Sequence, residues 1–83
     1  MNIKYDPDFK DYYDALPTDK LRKKTSQKIQ FLAKNPRHRS LNFKKYNKKN
    51  KKDKTWQFRI DRNWRIWGIR DGDDITLYYI FLK

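Results

Sequence analysis

Trp56-Gln57-Phe58-Arg59-Ile60-Asp61-Arg62-Asn63-Trp64-Arg65-Ile66-Trp67-Gly68-Ile69 decides the fold. Large apolar residues alternate with polar ones on both sides of a short polar break, the period of two expected of strands with one covered face. Trp56, Phe58 and Ile60 fall on one side of the first arm and Gln57 and Arg59 on the other. Asp61-Arg62-Asn63 supplies a tight hairpin connection, after which Trp64 and Ile66 turn inward and Arg65 outward. Asp71-Gly72-Asp73-Asp74 reads as a second turn. Ile75 to Leu82 is apolar at nearly every position, the pattern of a central strand covered on both faces.

Upstream of this meander the period becomes helical. Asn2 to Tyr5 fits a short strand, Asp6 an N-cap and Pro7 a first helical position, where its missing N–H costs nothing. Phe9, Tyr12, Tyr13 and Leu16 then share one helical face. Pro17-Thr18-Asp19 interrupts and restarts the pattern, and Leu21, Thr25, Ile29, Leu32 and Ala33 form the buried stripe of a longer helix that stops at Asn35-Pro36. Lys20, Arg22, Lys23, Lys24 and Lys34 are left on its solvent side. The lysine-rich segment Lys44, Lys45, Lys48, Lys49, Lys51, Lys52 and Lys54 reads as a loop. The expected architecture is α+β: an N-terminal strand and a helical hairpin packed on an antiparallel meander.

Composition bounds the function. Eighty-three residues suffice for one domain with one core. Cysteine is absent, which removes disulfides, thiolate metal sites and a cysteine nucleophile. Three Trp, six Tyr and five Phe offer large buried areas instead. The start Met1-Asn2-Ile3-Lys4-Tyr5-Asp6 has no apolar run of signal-peptide type, and no stretch has the length of a membrane span, so a cytoplasmic protein without a membrane partner is expected. A net charge of +12 draws phosphate backbones through counterion release. The same excess also follows from a codon bias that enriches lysine. All ten acidic residues are Asp, which rules out a glutamate base.

The order strand, two helices, meander, with Asn35-Pro36 and Leu41, then Trp56-Gln57-Phe58-Arg59-Ile60 and Trp64-Arg65-Ile66-Trp67, resembles the RelE/ParE toxin superfamily over essentially the whole chain. The resemblance implies a RelE-like fold and a toxin that cuts mRNA on the ribosome, without a metal or small-molecule cofactor, through attack by the ribose 2′-hydroxyl. It also implies a cognate antitoxin, which the charge suggests is acidic and partly disordered. Such a site needs a proton acceptor, a proton donor and fixed cations. Arg65 and Arg59 match the family's strand arginines in position, although Gln57 stands where members often carry another basic residue. The family's His, Tyr or Arg just past the last strand has no match at Phe81-Leu82-Lys83. Tyr78, Tyr79 and Lys83 therefore remain as candidates for proton transfer or base stacking, and the lysine segment for RNA phosphates.

Other assignments stay open from the residues alone. Arg59 and Arg65 could pair with Asp61 or Asp73 across the hairpin, Tyr78 and Tyr79 could serve packing, and His38, between Arg37 and Arg39, could act as a base. In function, the alternatives are a ParE-like inhibitor of DNA gyrase and a catalytically weakened RNA-binding homologue.

Overall fold

The computed structural model describes residues 1–46 and 54–83. Their elements run β1 (Asn2–Tyr5), α1 (Phe9–Asp14), α2 (Asp19–Lys34), a 3₁₀ turn (Arg39–Leu41), β2 (Lys44–Lys45), β3 (Thr55–Arg59), β4 (Trp64–Asp71) and β5 (Asp74–Leu82). The five strands make one sheet in the order β1-β5-β4-β3-β2. Strands β3 to β5 form the expected antiparallel meander, β2 extends it antiparallel beside β3, and β1 adds in parallel beside β5. The two helices carry the chain from β1 at one edge of the sheet to β2 at the other. The α+β class expected from the sequence is the one observed.

The alternating residues close the core. Phe58, Ile60, Ile66, Ile75 and Leu77 are fully buried on one face of the sheet, with Leu32 of α2 and Leu41 of the 3₁₀ turn against them. Burying each such side chain contributes roughly 1.5–3 kcal/mol. Thr18 caps α2, its hydroxyl accepting from the N–H of Leu21 at 3.1 Å. Buried Thr25 satisfies its own hydroxyl on the Leu21 carbonyl at 2.8 Å. Gly72, with φ 61°, opens the two-residue turn between β4 and β5, a position a side chain would strain.

Several expectations need correction. Helix α1 starts at Phe9, not at Pro7, because the Asp6 N–H is still bonded to the Leu77 carbonyl beside the sheet and the Asp6 carboxylate receives the Asp8 N–H. Tyr12 is exposed and lies edge-on to Tyr79 at 5.0 Å, outside the helical core stripe. Ala33 is only half-buried, whereas Lys28 is buried on α2 beside Ile29. Lys44 and Lys45 form strand β2, paired with Gln57 and Trp56, so this end of the lysine segment belongs to the sheet.

The largest correction concerns β5. Trp67 pairs with Tyr79 and Gly68 with Leu77, so Tyr78 is an extra residue on β5. This bulge sits between core residues Leu77 and Ile80, and both Tyr78 and Tyr79 therefore fall on the side of the sheet opposite those two. β5 is covered by helices on one face only; its second face carries Tyr78, Tyr79 and Phe81, all half-buried. We call this second side of the sheet the open face.

Gly68 is required where the helix-side packing is tightest. A β-carbon there would lie 2.7 Å from Ile75 Cγ1 and 3.0 Å from Leu77 Cδ2, both fully buried residues. Gly68→Ala is expected to lower stability by about 1–3 kcal/mol, the usual cost of overpacking, read as a lower urea midpoint at unchanged slope. An unchanged midpoint would show that Ile75 and Leu77 can shift freely.

Candidate functional site

Strand register arranges the open face in rows. One row runs Arg59, Arg65, Phe81 across β3, β4 and β5; the next runs Gln57, Trp67, Tyr79, with Lys44 of β2 continuing it beside Gln57. Trp67 is the hub. Its ring centroid lies 5.0 Å from Tyr46, 5.7 Å from Tyr79 and 4.8 Å from Phe81, and its Nε1–H donates to the Gln57 Oε1 at 3.0 Å. Tyr79 and Phe81 stack at 5.4 Å with their planes 14° apart. The Tyr78 and Thr55 hydroxyls meet at 3.3 Å. The result is a continuous aromatic surface, flanked by Tyr12 from α1 and by exposed Lys44. Aromatic faces of this kind accept stacked bases whatever their sequence.

Arg65 sits at one end of this surface but is not displayed as the alternation implied. It is only 8% exposed, and its Nη1 donates to the carbonyls of Asp61 at 2.7 Å and Trp64 at 3.1 Å. The Asp61 carboxylate is engaged elsewhere: it receives the N–H groups of Asn63 and Trp64, both at 2.8 Å. The suggested ion pair between Arg65 and Asp61 is therefore replaced by bonds to backbone carbonyls, and Asp73 pairs with the Met1 ammonium instead. The carbonyls orient the guanidinium without neutralising its charge. Arg59, whose Cα pairs with that of Arg65, lines a depression at the β3 edge together with Lys24, Lys28, Ser40, Ile60, Asp61 and Arg62.

The remaining candidates are distributed as follows. Lys83 is exposed, its backbone N–H bonded to the Asn63 carbonyl at 2.7 Å, which holds the residue beside the Asp61–Asn63 turn near Arg65. Lys54 is exposed and lies 3.9 Å from the Asp71 carboxylate. Lys45 lies on the Trp56 side of β2, away from the open face. Lys48, Lys49, Lys51 and Lys52 lie outside the described residues. His38 cannot easily serve as a free base: its Nδ1 accepts the Ser40 N–H at 3.2 Å and its ring stacks on Phe31 at 4.5 Å.

Two features escaped the sequence reading. Tyr46 is hidden in a lysine run, although its place two residues after Lys44 puts both on one face of an extended chain. Lys28 was not singled out among solvated lysines, yet burial pushes its ammonium below the ordinary lysine range, with Lys24 and Arg59 adding repulsion.

No protein-family model matches the chain, and no curated protein matches it. Solved structures do. A YoeB–YefM complex from Staphylococcus aureus matches with a TM-score of 0.69 at 20% identity, covering 100% of this chain and 97% of the other. A heterotetrameric YoeB–YefM toxin–antitoxin complex from the same organism matches at 0.68 and 20%, and a YoeB dimer at 0.62 and 21%, each with the same coverage. At this identity the likeness shows a shared fold, the RelE-like one.

Two expected outcomes follow from the charges. Lys28→Met is expected to raise the urea midpoint near neutral pH, because it removes a desolvated cation facing two others. Below its lowered folded value Lys28 is charged in both states and the penalty is fully present; above the ordinary lysine value it is neutral in both and the penalty vanishes. The difference between wild type and variant should accordingly shrink as pH rises through that window, and a constant difference would assign the effect to packing alone. Arg65→Ala is expected to cost about 2 kcal/mol by chemical denaturation through loss of its charge-assisted bonds, and a variant as stable as the wild type would show those bonds to be incidental.

Proposed function

We propose that this chain is the toxin of a toxin–antitoxin pair, acting in the cytoplasm as a ribosome-dependent mRNA endonuclease. The observation that carries the reading is the open face: an oriented arginine at the end of an aromatic surface, on a fold shared with the YoeB of a toxin–antitoxin complex. A net charge of +12 adds attraction for RNA phosphates and for an acidic antitoxin.

In this reading the mRNA crosses the rows of the sheet, its bases against Trp67, Tyr79 and Phe81. The scissile phosphate lies at Arg65, with Arg59 and Lys83 contributing positive charge at that end and Lys44 holding the backbone further along. The ribose 2′-oxygen attacks phosphorus and loses its proton, while the bond from phosphorus to the 5′-oxygen breaks and that oxygen gains a proton. The products are a 2′,3′-cyclic phosphate and a 5′-hydroxyl. Arg65 opposes the charge that builds on the phosphoryl oxygens, the role for which a fixed guanidinium is best suited. Proton transfer falls to the Tyr79 hydroxyl and the Lys83 ammonium.

The burial of Arg65, only 8% exposed, supports a second reading, an RNA-binding homologue that blocks translation with little cleavage. Both readings are tested in cell-free translation of a defined mRNA, with cleavage mapped with and without ribosomes. The first predicts cuts only when ribosomes are present, lost in Arg65→Ala under conditions where that variant remains folded. Arrested translation with intact mRNA would support the second. Normal translation with intact mRNA would defeat both and send the protein to a gyrase supercoiling assay.

A further inference from the structure

The helix side of the β2–β3 edge carries a second basic centre that the open face does not use. A depression of about 800 Å³ lies where the chain leaves α2 and enters β2. Its walls include Arg37, His38, Arg39 and Arg70 over the aromatic base of Phe43 and Trp56, and among the described residues no carboxylate lines it. It opens on the side of Trp56, which packs against the core, whereas Trp67 stands on the other side of the sheet.

Arg70 is built into this depression. Its guanidinium carbon lies 4.5 Å from the Trp56 ring centroid and 5.6 Å from that of Phe43, and the two rings are 4.7 Å apart. Its Nε donates to the Gly72 carbonyl at 3.0 Å. Stacking and that one bond fix the plane of the fork and leave both terminal nitrogens to donate, since among the described residues no carboxylate pairs with Arg70. A flat, immobilised, unneutralised guanidinium is the group that matches two oxygens of a phosphate. His38 is held as well. Because Ser40 donates to Nδ1, the neutral ring carries its proton on Nε2 and has one N–H donor to offer. Arg37 and Arg39 are exposed and bring two more charges without acidic partners among the described residues.

We propose that this depression binds a phosphodiester group of RNA, as a second nucleic-acid contact separate from the open face. The inference rests on reading the chain as an RNA-binding protein, and it adds that RNA engages both sides of the β2–β3 edge. Arg70 supplies the paired donors, His38 a single one, and Arg37 and Arg39 hold the flanking phosphates. An acidic peptide would also be drawn by the charge. The planar fork matches carboxylate and phosphodiester oxygens alike; what favours RNA is that the guanidinium plane can also stack a neighbouring base.

The tryptophans separate the sites. Trp56 reports the depression and Trp67 the open face, so their indole N–H signals, assigned through Trp→Phe variants, can be followed by NMR during titration. The probe is a short 2′-O-methyl oligoribonucleotide, which cannot be cut. Expected are movements of the Trp56 indole and His38 ring signals, with apparent affinity at Trp56 weakened about tenfold in Arg70→Gln and in Arg39→Gln, the scale of one charge-assisted contact. Arg39→Gln guards against a local collapse in Arg70→Gln, because the Arg39 side chain has no bonding partner among the described residues. Movement of Trp67 alone would overturn this inference and leave the proposed function standing. Silence at both indoles would overturn both. Equal movement of Trp56 with inorganic phosphate at the same concentration, or with an aspartate-rich peptide in place of the oligonucleotide, would reassign the depression to free anions or to a protein partner and overturn it as well.

Discussion

A six-residue helix and a sixteen-residue helix can cover only one face of a five-stranded sheet, and the rest of the molecule answers to that constraint. The covered face is filled in the ordinary way, by Phe58, Ile60, Ile66, Ile75 and Leu77 at zero exposure. The second face is met by α1 only at Tyr12, which lies edge-on to Tyr79. It is composed of large aromatic residues that shield one another, with Trp67 in contact with Tyr46, Tyr79 and Phe81. A surface of this kind is apolar enough to stack planar ligands and polar enough, through its hydroxyls and indole N–H, to remain wetted. The one-residue bulge at Tyr78 is the device that makes it, since without the extra residue Tyr78 and Tyr79 would fall on opposite faces.

Charge follows the same division. Two arginines of the sheet are held by carbonyls or aromatic rings, not by carboxylates: Arg65 by Asp61 and Trp64, Arg70 by Gly72 and Trp56. The Asp residues meanwhile serve the backbone or the outer edge. Asp61 caps its turn, and Asp74 binds Asn2 and Lys4 across the β1–β5 pair, contacts that hold its carboxyl below the usual range. Cations arranged in this way keep their full attraction for phosphate, and they keep it in fixed directions. A surface of freely moving lysines would attract RNA equally well but would orient nothing.

Much of this was legible in the residues. Strict alternation in Trp56–Ile60 and Trp64–Ile66 identified the hairpin and its inner face, and the Pro17-Thr18-Asp19 break separated the helices, because those signals are local. What stayed hidden depends on register and on neighbours distant in sequence. Ile75–Leu82 has no alternation to lose, so a slip of one residue leaves no trace in it. The burial of Arg65 is decided by two carbonyls of a turn, which any sequence there would present. Lys44 and Lys45 concealed a strand because lysine signals solvent, and Arg70 meets Trp56 only once β3 and β4 are paired. The arginine positions could be named from the resemblance; which of them is held fixed, and by what, required the fold.

The central claim is that the open face, not the helices, receives the mRNA. Photo-cross-linking on stalled ribosomes tests it directly: an mRNA carrying 4-thiouridine in the decoding site is irradiated with the bound protein, and the adducts are mapped by mass spectrometry. The account predicts adducts at Tyr46, Trp67, Tyr79 or Phe81. Adducts confined to α1 and α2, on a protein that still arrests translation, would contradict it.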